Sequence, residues 1–126
     1  MTEQNLIYKE EAYKVIGLCM EVHKYLGKGH NEKVYGDALE LELLANHIPF
    51  VREQKYTIEY KGVQLPSYYY SDFTVYDSII IELKAIQTLS SSETKQVLNY
   101  LAASKCKLGL LVNFGEDSLK YQRIIL

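Results

Sequence analysis

An α/β fold, with a mixed central β-sheet flanked by helices, is predicted by three observations. Apolar residues recur at helical spacing through the first third of the chain and again near 91–105. Between and after those stretches the pattern changes to β-branched and aromatic runs. The later helix separates two apolar strands at a length suited to a parallel crossover. The predicted order is α-α-β-β-β-α-β-β.

Ala12, Val15, Ile16, Cys19, Val22 and Leu26 define a first helix near 6–26, and Gly27 stops it. Asn31 is a good N-cap for a second helix reaching about Asn46. Its expected apolar stripe is Val34, Ala38, Leu41 and Ala45, supported by Tyr35 and Leu39. Pro49 blocks further helix. A strand over 50–60 turns at Lys61-Gly62 into a second that runs to Val75, with a bend or edge position at Pro66. Tyr76-Asp77-Ser78 has the length of a hairpin turn into a third strand, 79–85. Ser90-Ser91-Ser92-Glu93 opens the third helix with a capping box. Leu108–Val112 reads as a buried strand and 121–125 as the last one.

The 126 residues suit a single domain, 1–126, with a core of its own. A net charge of −2 argues against a general basic coat for nucleic acid but leaves room for a local groove. No apolar stretch reaches the length of a membrane span, and Met1–Asn5 has no signal-peptide character. Cys19 and Cys106 are isolated, so a reducing cytoplasm is expected, with both cysteines as small buried hydrophobes.

The chemistry concentrates on the hairpin. With the turn centred on Asp77, Val75 pairs with Ile79 and Asp72 falls opposite Glu82; alternation brings Lys84 to the same face. Like charges placed opposite each other destabilise a sheet. Ile79, Ile80 and Ile81 mark a strand buried on both faces. Two carboxylates there call for a compensating cation, and Mg²⁺ or Mn²⁺ suits oxygen ligands. Glu32, in the first turn of the second helix, is an ordinary N-terminal carboxylate unless that turn lies on the sheet, where it becomes a third ligand. Gln96 and Tyr100 share a helix face and could orient a phosphate or water. Tyr68 and Tyr70 would share the face of Asp72 and could stack on bases, although the strand preference of tyrosine favours packing. His30 precedes Glu32 in a turn where substrate could reach it. Lys24, Lys28, Lys33, Arg52 and Lys55 are candidates for a basic rim.

Gly29-His30-Asn31-Glu32-Lys33-Val34-Tyr35 resembles the signature of the bacterial GxxExxY family, assigned to the PD-(D/E)xK nuclease superfamily. The resemblance extends through Tyr70-Ser71-Asp72-Phe73 and Glu82-Leu83-Lys84 to Leu110–Gly115. It implies a restriction-endonuclease-like core and metal-dependent hydrolysis of nucleic acid, with DNA the expected substrate. Asp72 and Glu82 would then be metal ligands, Lys84 the lysine that positions the attacking water, and Glu32 an additional acidic residue. Gln96 and Tyr100 are similar to the Gln-x-x-x-Tyr pattern of the recombination-exonuclease branch. Ser71 stands where the superfamily motif has Pro, a variable position. A homodimer would enlarge the grip of so small a chain. The competing expectations are a catalytically silent nuclease-fold binding module and a domain whose buried charges form only a salt-bridge network.

Overall fold

The computed structural model describes residues 7–126. Met1–Asn5, and Leu6 at the expected start of the first helix, lie outside them. Eight elements follow in the predicted order: α1 (Lys9–Leu26), α2 (Glu32–Ala45), β1 (Phe50–Tyr60), β2 (Val63–Val75), β3 (Ile79–Lys84), α3 (Ser91–Ser104), β4 (Leu108–Asn113) and β5 (Lys120–Ile124). The sheet order is β1-β2-β3-β4-β5. Only β3 and β4 are parallel, joined across α3, and the other neighbours are antiparallel.

Two apolar clusters sandwich the sheet. α1 and α2 bury Val15, Cys19, Val22, Leu39 and Leu43 against Phe73, Ile79, Ile81, Leu110 and Val112. On the other side α3 packs Val97, Tyr100 and Leu101 onto Ile80, Leu111 and Ile124. The Ile79-Ile80-Ile81 run is therefore buried on both faces, each side chain fully, at about 1.5–3 kcal/mol apiece. Burial pushes the Cys19 thiol up to about 12, so it acts as a small hydrophobe. The caps hold as expected: Asn31 Oδ1 accepts from the Val34 amide at 3.1 Å, and Ser90 and Glu93 close a capping box.

The second helix is rotated from its expected setting. Tyr35, Gly36, Leu39 and Leu43 are buried, while Leu41 is 69% exposed and Ala45 is exposed. Tyr35 sets the rotation. Its ring stacks on Phe114 at 4.5 Å, and its hydroxyl donates to the Gly27 carbonyl at 2.5 Å. That contact comes from the far end of the chain, and local spacing could not reveal it. Pro66 falls in the irregular stretch of the β1–β2 ladder, between the Thr57–Tyr68 and Glu59–Gln64 pairs, so no regular ladder bond is lost.

Asn113 ends β4 and does more than start a turn. Fully buried, its Oδ1 accepts from the amides of Ile86 and Gly115, at 3.0 and 3.1 Å. Its Nδ2 donates to the Ile86 carbonyl and to Glu116 Oε2, both at 2.9 Å. Gly115 is required beside it, because a Cβ there would run into the backbone of Ala85 and Ile86. The amide thus fixes the segment that follows Lys84. Asn113→Ala strands several buried partners and should lower unfolding stability by about 3 kcal/mol, measured by denaturant melts; a loss within the scatter of surface substitutions would show that the clamp is not needed.

Candidate active site

The site opens where β2 and β3 part. Their ladder holds only Phe73–Ile81, Thr74–Ile80 and Val75–Ile79. Continued by two residues, it would set Leu83 opposite Ser71. Instead the Leu83 amide donates to Asp72 Oδ2 at 2.7 Å, so a side chain takes the place of the backbone acceptor. The carboxylate lies in the gap between the strands, and the expected cross-strand pairing of Asp72 with Glu82 stops one residue short. β1 shares the distortion. Its ladder skips Glu53 and Asp72, and Glu53 has a left-handed φ of 54°. Ser71 Oγ and Thr74 Oγ1 lie 3.1 Å apart although they are three positions apart in the strand, which an undistorted strand does not allow.

Asp72, Glu82 and Lys84 nevertheless converge. Glu82 is 5% exposed, and its carboxyl lies close enough to that of Asp72 for their charges to act on each other. Lys84 Nζ stands 3.7 Å from Glu82 Oε2. Glu82 Oε1 is buried with no hydrogen-bond partner. Burial first, and then the charge of Asp72, push the Glu82 carboxyl up to about 8, against the pull of Lys84. Burial also raises Asp72, the Leu83 amide opposes it, and the charge of Glu32 raises it further.

The remaining candidates take different places. Glu32 is exposed at the start of α2, on the lip of a cleft of about 220 Å³ that it shares with Lys33, Gly36, Arg52, Glu53, Asp72, Phe73 and Leu83. Among the described residues no three carboxylate, imidazole or thiol groups form a ready cage, so Glu32 faces Asp72 across the cleft without closing a three-ligand set. Tyr100 is buried near the pair. Burial and the charges of Glu82 and Asp72 push its hydroxyl up to about 12, and Gln96, half-buried one turn earlier on α3, pulls the other way. His30 is exposed; its amide donates to the Tyr35 hydroxyl at 3.3 Å and its ring meets that of Tyr35 edge-on. Tyr70 lies half exposed along β2. The basic residues form no continuous rim. Arg52 pairs with Asp37 and Glu40, both at 2.8 Å, and Lys28 with Asp117 at 2.7 Å.

Sequence reasoning missed Glu53 and the anchoring role of Asn113. Glu53 carried no signal, since a left-handed Glu is not legible in a strand pattern.

The donor set fits a hard divalent cation. A buried carboxyl with an orphaned oxygen and a half-buried one whose charges act on each other are short of positive charge even with Lys84 beside them. Glu82 is raised in the folded state above its ordinary value of 4.5, so its contribution is complete below about 4.5. It is lost as pH rises through about 8. Thermal unfolding in EDTA should show this decline, and Glu82→Gln should flatten it; an equal slope in both proteins would remove Glu82 as its source.

The family model described as PD-(D/E)XK nuclease superfamily matches residues 9–124. No curated protein matches. A solved structure described as "Crystal structure of SSO0001" is similar in fold, with a TM-score of 0.57 and 21% identity over 74% of this chain. The match covers 48% of that protein, so this chain spans about half its length. The mixed sheet between helices is the restriction-endonuclease-like fold, and the chain belongs to the PD-(D/E)XK nuclease superfamily.

Proposed function

We propose that the protein is a divalent-cation-dependent nuclease that hydrolyses phosphodiester bonds of nucleic acid, DNA foremost. The observation that carries this reading is the orphaned, buried Glu82 Oε1 beside Asp72 and Lys84. Asp72 and Glu82 would hold Mg²⁺ or Mn²⁺, with Glu32 contributing from the cleft lip. A bound divalent ion supplies charge neutralisation on the phosphate and makes water more acidic.

The chain's own groups do the rest. Lys84 supplies a fixed cation beside the carboxyl pair, suited to holding an attacking water and to offsetting charge that builds on the phosphate oxygens. Its backbone is held in place, since its carbonyl accepts from the Phe114 amide at 2.8 Å. The Tyr100 hydroxyl remains protonated at neutral pH and, with Gln96, offers neutral donors that leave the charge balance unchanged. Among the described residues no helix is long and apolar enough to cross a membrane.

The test is cleavage of labelled single-stranded, duplex and branched DNA, and of RNA, in Mg²⁺ and in Mn²⁺. Lys84→Ala should retain the fold and lose about 10²–10³-fold in turnover. Calorimetric titration with Mn²⁺ should show binding that Glu82→Gln weakens. Metal binding without cleavage by the native protein would favour the silent binding module, and no metal binding would leave only a salt-bridge network.

A further inference from the structure

Beyond Asp72, β2 has left β3 and pairs only with β1, so the two strands form an arm that leans away from the sheet centre. One face of the arm is packed. Tyr56 and Tyr69 join the α3 cluster, and the Tyr69 ring meets Tyr100 at 5.6 Å. Alternation turns Tyr68 and Tyr70, on either side of Tyr69, to the opposite face. Among the described residues no helix covers them there: they are 52% and 51% exposed, with their rings edge to face at 5.7 Å. Lys55 and Thr57 are their cross-strand partners, opposite Tyr70 and Tyr68. The Lys55 ammonium stands 4.4 Å from the centre of the Tyr68 ring. A second such pair, Lys61 over Tyr60, stands at the tip.

We propose that this outward face is a stacking platform for unpaired bases, which makes single-stranded nucleic acid the ligand that the arm leads to the Asp72 cleft. The inference rests on the nuclease reading for its direction. Asp72 is two residues along β2 from Tyr70, and its cleft opens toward α2, the side away from α3. Whatever lies on the two rings is therefore led to Asp72 and its cleft. Flat tyrosine faces flanked by an ammonium match a strand that offers bases and phosphates in alternation. A duplex keeps its base faces stacked inside and gains nothing from the rings. A protein partner would favour a continuous apolar surface, whereas here the rings alternate with Lys55 and Thr57.

Binding can be read apart from turnover. The Lys84→Ala protein in Ca²⁺ is titrated into labelled oligothymidylate, oligouridylate and a DNA duplex, followed by fluorescence anisotropy. Single strands should bind more tightly than duplex. Adding Tyr68→Ala and Tyr70→Ala should weaken single-strand binding by about tenfold or more and leave duplex binding unchanged. Tyr68→Phe with Tyr70→Phe should preserve binding, and Lys55→Gln should reduce its salt dependence. Equal affinity for single strand with and without the rings, in proteins of matched melting temperature, overturns the platform. So does tighter binding of duplex. Ring-dependent binding by a native protein that never cleaves would uphold the platform and defeat the nuclease reading. Cleavage indifferent to the rings would do the reverse.

Discussion

One hydrogen bond organises this molecule: the Leu83 amide donating to Asp72 Oδ2. In a continuous sheet that amide would serve the neighbouring strand, and leaving it unpaired in the interior would be costly. The aspartate satisfies it with a charged acceptor and lets β2 and β3 separate without an orphaned donor. The separation creates the cleft, frees the arm and delivers a half-buried carboxylate to the side of Glu82. Site and architecture are therefore products of a single substitution of side chain for main chain.

The carboxyl pair is electrostatically unfavourable by itself, and the fold holds it together from several directions. β3 is fixed by β4 along its whole length, from Ile79–Leu108 to Lys84–Asn113. The Asn113 amide then secures the chain just beyond Lys84. On the opposite side, Tyr35 joins the turn before α2 to Phe114, so the helix that carries Glu32 and the strand end behind Lys84 share one contact. His23 adds to it through the Glu116 carbonyl at 2.9 Å. Positioning of the charges is thus distributed over both ends of the chain, which is what a preorganised site requires.

Much of this was legible in advance. The order of elements, the parallel crossover and the doubly buried isoleucines follow from apolar period and helix caps, which are local properties. Asp72, Glu82 and Lys84 stood out because charges interrupt an otherwise apolar hairpin. What eluded the pattern depends on contacts distant in sequence. The rotation of α2 is set by Tyr35 against Phe114, so Leu41, at good helical spacing, is left in solvent. The parting of the strands depends on a carboxylate imitating a carbonyl, and alternation has no symbol for that. The exposure of Tyr68 and Tyr70 follows from the parting, and strand propensity alone points the other way.

The arm's self-contained pairing has an evolutionary corollary. From Gln54–Ser71 outward its backbone pairs with neither β3 nor β4, so the rungs beyond Tyr56–Tyr69, which packs on the α3 cluster, can change in number without disturbing the buried sheet. Lengthening by two residues per strand would keep each side chain on its present face, and lengthening by one would exchange the inner and outer sets. Related chains should therefore differ here in whole steps of the pleat, making the arm the natural place for reach to vary while the carboxyl pair stays fixed.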